Sequence, residues 1–148
     1  MSFASRWVVL RTHDVGPDDL DAAGLLHADV VDGWLADARA AYLEKCTAFC
    51  DLRERSGAEL QARIDPAPDP RRFGTPTGVV VGAGATEIYS TAFRMALRLR
   101  PVDGDGDDAI NVKCEVSLVD LATGEALELG NDIRDELIAL EHAAAHIN

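Results

Sequence analysis

Asp21 and His27 stand just ahead of a helical pattern, and their placement suggests chemistry. Asp21 lies in the acidic run Asp18-Asp19-Leu20-Asp21 and is followed by Gly24, and helical spacing begins at Val30. A helix start presents unpaired N–H groups and the positive end of its dipole. A carboxylate a few residues upstream can reach a group held there, to attack it or to orient a water. His27 could act as a general acid or touch a substrate; it could equally be a half-exposed side chain at a helix start. On composition alone Asp21 reads as a turn residue, because aspartate is common in turns. Asp18 and Asp19 read as loop solvation. Asp29 and Asp32 suit a cap and dipole compensation rather than an acid pair.

Other reactive side chains carry weaker patterns. His13-Asp14 has two members of a triad but no recognisable nucleophile motif, and reads as a strand end. Cys46 and Cys50 lie four apart, with Cys114 far along the chain. That makes no closed zinc site, and small buried thiols are expected. His142 and His146, also four apart, read as an exposed last helical turn rather than a metal half-site. No metal is expected. Gly82-Ala83-Gly84 lies within a strand pattern with no helix start after it, so it is not a phosphate loop.

The elements that must position these residues follow from hydrophobic period. Trp7 to Thr12 is rich in branched and aromatic residues and reads as a strand. Val15 to Gly24 is loop. Val31, Trp34, Leu35, Ala38, Tyr42, Cys46 and Phe49 recur at spacings of three and four, predicting one long amphipathic helix to about Arg55. Ser56-Gly57 stops it. Ile64 to Pro76, with four of the six prolines, reads as loop. Gly78 to Tyr89 reads as strand, with the glycine pair marking a bulge or bend. Phe93 to Arg100 and Ile110 to Leu118 alternate as half-buried strands around a turn at Asp103 to Asp107. Ala122-Thr123-Gly124 predicts a hairpin spanning Ile110 to Leu129. A short helix follows, capped by Asn131 or Asp132, with Ile133, Leu137, Leu140 and Ala144 as its apolar stripe. With no repeat and no linker, residues 1–148 read as one α+β domain.

Composition excludes several classes. The chain has 148 residues, 47% of them hydrophobic, enough for a core and too apolar for disorder. Fourteen cations against 26 anions give a net charge of −12. That opposes general nucleic-acid binding and docking on anionic membranes. No apolar run approaches the roughly 18 residues of a spanning helix, and Met1 to Trp7 lacks a signal-peptide layout. Three cysteines cannot all pair internally. A cytoplasmic protein with reduced thiols is expected.

Asp21-Ala22-Ala23-Gly24, Trp34 ten residues beyond Gly24, and the pair Ala38-Arg39 together resemble the hotdog-fold thioesterases of the 4-hydroxybenzoyl-CoA thioesterase type. Element order is also similar. The resemblance implies an antiparallel sheet wrapped around a long central helix. It implies hydrolysis of an acyl-coenzyme A thioester to a carboxylic acid and coenzyme A, by a homodimer or homotetramer with its site between subunits. The residue implied as nucleophile or general base is Asp21. Ala28 would supply the N–H that polarises the thioester carbonyl, as an oxyanion hole does, with His27 lining the site. Gly24 and Trp34 would line the substrate site. Coenzyme A phosphates need cations, for which Arg71 and Arg72 are candidates. Arg94, Arg98 and Arg100 on one strand face read as solvated. Coenzyme A is then part of the substrate, and no cofactor is expected. Leu25 and Leu26 follow Gly24 where many members carry a histidine. Two alternatives belong to other classes: a non-catalytic acyl-binding or assembly protein, and a hydratase or dehydratase using a His with an acid.

Overall fold

The protein is described by a computed structural model covering residues 7–65, 67–103 and 109–145. The expected turn residues Gly104 to Asp107, and His146, lie outside the described residues. Strand β1 (Val9–Asp14) leads to helices α1 (Ala28–Glu44) and α2 (Thr47–Ser56). Strands β2 (Glu59–Asp65), β3 (Gly78–Ile88), β4 (Phe93–Pro101) and β5 (Ile110–Val119) follow, and helix α3 (Asn131–Ala145) ends the order. The five strands form one antiparallel sheet in the order β1-β3-β4-β5-β2.

Period-2 burial explains the sheet. On β4, Phe93, Met95, Leu97 and Leu99 are fully buried, and on β5 so are Cys114, Val116 and Leu118. α1 packs on this apolar face, against β1, β3 and β4. It contributes Val31, Leu35, Ala38 and Tyr42, all essentially inaccessible. The alanine lets the helix approach the sheet closely.

The single long helix expected to Arg55 is instead two helices. The N–H groups of Lys45 and Cys46 donate to the carbonyls of Tyr42 and Leu43, tightening the last turn of α1. Cys46 then leaves helical geometry at φ −96° and ψ 80°. α2 receives its cap from elsewhere: Glu136 of α3 accepts the Thr47 hydroxyl at 2.6 Å and the Ala48 N–H at 3.0 Å. A carboxylate there satisfies orphan donors and complements the dipole. Tyr42, Cys46 and Phe49 are all buried across the break, so the apolar period continues through it. Glu136→Ala is expected to cost about 1 kcal/mol, as loss of an N-cap does. Urea unfolding would measure it, and an unchanged midpoint would remove the capping role.

Three further expectations change. β2 takes Ile64 and Asp65 from the expected loop, because Leu60, Ala62 and Ile64 alternate inward against β5. Since β2 occupies that side of β5, Glu125 to Leu129 forms no hairpin strand. Only an isolated bridge, Val119 to Ala126, remains. β3 runs unbroken through its glycine pair, and its register shift falls later, between Ala85 and Glu87. The glycines seat a ring: a Cβ on Gly82 would lie 2.8 Å from the Trp7 indole. α3, expected to be short, has 15 residues. Cys46 and Cys114 are buried thiols as expected, whereas Cys50 is exposed.

Candidate active site

The loop between β1 and α1 folds back on itself. Leu20 and Leu26 form an isolated antiparallel bridge. The Asp21 N–H donates to the Leu25 carbonyl at 2.7 Å, and the Gly24 N–H to the Asp21 carbonyl at 3.0 Å. Gly24 sits at φ +81°, a left-handed conformation that a side chain would strain. Inside this small closure Asp21 Oδ1 accepts the N–H groups of Ala23 at 2.8 Å and Leu25 at 3.0 Å.

Those donors set the charge. The Leu25 N–H, more than any other group, holds the Asp21 carboxyl below its ordinary value of 3.8. Desolvation opposes this, while the Ala23 N–H, the charge of His27 and the Gly24 N–H add to it. Asp21 is exposed, so the result is a fixed, ionised carboxylate open to solvent on one side.

The helix start follows at once. The His27 N–H donates to the Asp19 carbonyl at 2.9 Å, which pins the chain as it enters α1. His27 occupies the N-cap but makes no side-chain cap bond. The first full-turn bond is Val31 N–H to the His27 carbonyl at 3.3 Å. Ala28 and Asp29 precede it, so helix geometry gives their N–H groups no acceptor within α1. Asp21, Gly24, His27 and Ala28 thus meet at one loop–helix junction.

Trp34 sits a turn further along α1, half-buried. Its ring stacks on His13 of β1, with centroids 5.1 Å apart and planes 17° apart. His13 does close a strand, as expected, but sequence reasoning missed this contact. The signal was its period-2 relation to Val9 and Arg11, which sets all three on the helix-facing side of β1. His13 Nε2 is buried with no hydrogen-bond partner among the described residues. Arg11 reaches Asp37 of α1 at 3.8 Å.

The proline-rich loop meets the junction through Thr75, whose hydroxyl donates to the Gly24 carbonyl at 2.6 Å. Nothing in the sequence flagged Thr75. Arg71 lies in the same loop, exposed, and its guanidinium grips Asp69 with contacts of 3.0 and 3.2 Å. A phosphate at Arg71 must therefore compete with Asp69. The side chain of Arg72 lies outside the described residues.

No helix among the described residues is long and apolar enough to cross a membrane. No protein-family model matches the chain. No curated protein matches it in sequence. Solved structures do match along nearly the whole length. A Thermus thermophilus thioesterase complexed with coenzyme A and Zn shares 23% identity over 92% of this chain and 96% of its own, with a TM-score of 0.65. A 1,4-dihydroxy-2-naphthoyl-CoA thioesterase from Synechocystis shares 14% over 90% and 97%, with a TM-score of 0.64. A Staphylococcus aureus protein in complex with CoA shares 12% over 90% and 83%, with a TM-score of 0.63. With the strand order and the helix on the sheet's apolar face, these matches establish that the chain has the hotdog fold.

Proposed function

We propose that the protein hydrolyses acyl-coenzyme A thioesters, in the manner of the 4-hydroxybenzoyl-CoA type. The observation that carries this reading is the Asp21 carboxylate, fixed by two backbone N–H groups immediately before the open N-terminus of α1. Thioesterases of the same fold, one of them holding coenzyme A, support it. The thioester carbonyl oxygen takes the Ala28 N–H, where developing negative charge meets an unpaired donor and the helix dipole. Asp21 attacks the carbonyl carbon, or takes a proton from a water that does. The C–S bond breaks, coenzyme A leaves as thiolate, and water supplies the oxygen of the free acid. His27 and Trp34 line the acyl side. Arg71 and Arg72 are the cations offered to the phosphates.

The working form is a homo-oligomer in the cytoplasm. Among the described residues β1 and β2 are the edge strands, each with one side of its backbone unpaired, and pairing between copies satisfies such edges. Antiparallel pairing of two β2 strands about Gln61 would set Glu59 of each copy opposite Arg63 of the other. A thiol-release assay over aromatic, short-chain and long-chain acyl-CoAs tests the activity, and light scattering on the same sample tests the assembly. Turnover on one class with a dimer or tetramer mass is the expected result. Folded protein that releases no thiol from any member overturns the activity, and a clean monomer overturns the assembly.

A further inference from the structure

A cleft of about 390 Å³ opens between the end of β3 and α3, on elements the proposed reaction does not use. Ala85, Thr86 and Ile88 form one wall, and Leu137, Ile138 and Glu141 the other. Ile138 is 53% exposed, so its side chain is open to solvent at this cleft. Glu141 is the charged group of this apolar cleft, with His142 beside it at the edge.

Glu141 bridges α1 and the end of β3. Its Oε2 accepts the Tyr42 hydroxyl at 2.6 Å and the Ala85 N–H at 2.9 Å. β1 pairs no further along β3 than Ala83, so Glu141 serves the backbone where that strand is missing. Gly84 permits the approach, since a Cβ there would lie 3.3 Å from Glu141 Oε1. Tyr42 is fully buried. Burial, and then its bond to Glu141, push its hydroxyl far above the ordinary range, so this donor stays neutral. Ion pairs among the described residues join Arg11 to Asp37, Arg71 to Asp69 and Arg94 to Glu87, and none involves Glu141. Both donors are neutral and both engage Oε2, so an ammonium at the carboxylate makes a charge-assisted contact that these bonds do not supply. The walls of the cleft add apolar burial.

We propose that this cleft binds a small aliphatic ammonium ion, with the ammonium at Glu141 and the alkyl chain along Ile88, Leu137 and Ile138. The net charge of −12 draws cations toward the protein generally, so the alkyl contact is what makes the site selective. The size suits a ligand of several carbons, as small-molecule pockets start near 300 Å³.

The test is an NMR titration with hexylammonium, hexanol and hexanoate as probes. Hexylammonium is expected to move the Ala85, Thr86 and Ile88 amides saturably at millimolar concentration. Hexanol, lacking the charge, is expected to bind at least about tenfold more weakly, and hexanoate not at all. Glu141→Gln is expected to weaken hexylammonium by about tenfold. Because that variant also touches Tyr42, Ile138→Lys serves as a second one: it changes an exposed residue, leaves the fold intact and sets its own ammonium in the cleft. Loss of binding in both variants supports the site. Equal binding of hexanol, unaltered binding in Ile138→Lys, or no saturable shift at the β3 amides would each overturn it.

Discussion

Asp21→Asn is expected to lower thioester turnover by about a thousandfold, the scale of losing a positioned base or nucleophile, and to leave acyl-coenzyme A binding intact. The substitution isolates charge from geometry. Asparagine keeps an Oδ1 that can accept the Ala23 and Leu25 N–H groups, so the loop stays closed. What it removes is the anion facing the start of α1. A matching pH signature is expected in the wild-type rate. The folded carboxyl titrates below its ordinary 3.8, so the ionised form persists to lower pH than in the unfolded chain. Activity, and the loop stability that depends on the ion, are therefore expected to hold above the ordinary value and to be lost as pH falls through the lowered one. Single-turnover rates from neutral to acid pH, with coenzyme A binding followed separately, measure both. A variant as fast as the parent would remove Asp21 from the chemistry.

Phe93→Ala is expected to remove about 3–5 kcal/mol of stability, the usual range for deleting a buried aromatic ring. Phe93 begins β4, is fully buried, and meets Phe49 of α2 edge to face, with centroids 5.7 Å apart and planes at 89°. The pair fastens α2 to the sheet. Such aromatic geometry contributes about 0.5–1.5 kcal/mol beyond area burial. In a chain of this size the melting temperature falls by roughly 10 °C. Calorimetry of the two proteins gives the difference directly. Phe93→Leu, which keeps much of the volume, should lose less than half as much. Equal losses in the two variants would mean that the ring contact contributes nothing of its own.

Local order was legible in the sequence wherever one face of an element is buried and its neighbours do not alter the rule. β4 and β5 show this: their alternation is strict because Met95, Leu97, Cys114 and Val116 face one core. The turn at Asp21 was legible for a related reason, since the N–H groups its carboxylate accepts lie two and four positions on. Features set by distant partners were not. The break at Cys46 depends on Glu136, some ninety residues away, and leaves the apolar period untouched. The missing hairpin after Gly124 depends on β2 having already taken the side of β5. Gly82 and Gly84 suggested a bend, yet the first answers to the ring of Trp7 and the second to Glu141. At the site, Thr75 and His13 arrive through the tertiary fold, with only the period of β1 to hint at the second.

Two glutamates on α3 reach back 88 to 99 positions, Glu136 to the start of α2 and Glu141 to Tyr42. That arrangement has a consequence for the chain as it is made. Domains fold as units while synthesis runs from the N-terminus, and the donors on Thr47, Ala48 and Ala85 have no acceptor from this helix until its residues have left the ribosome. Until then the second helix lacks its cap and the end of the third strand lacks its side-chain acceptor. Helix α3 follows every strand of the sheet in the chain, so closure of the sheet and the first two helices waits until this helix has been made.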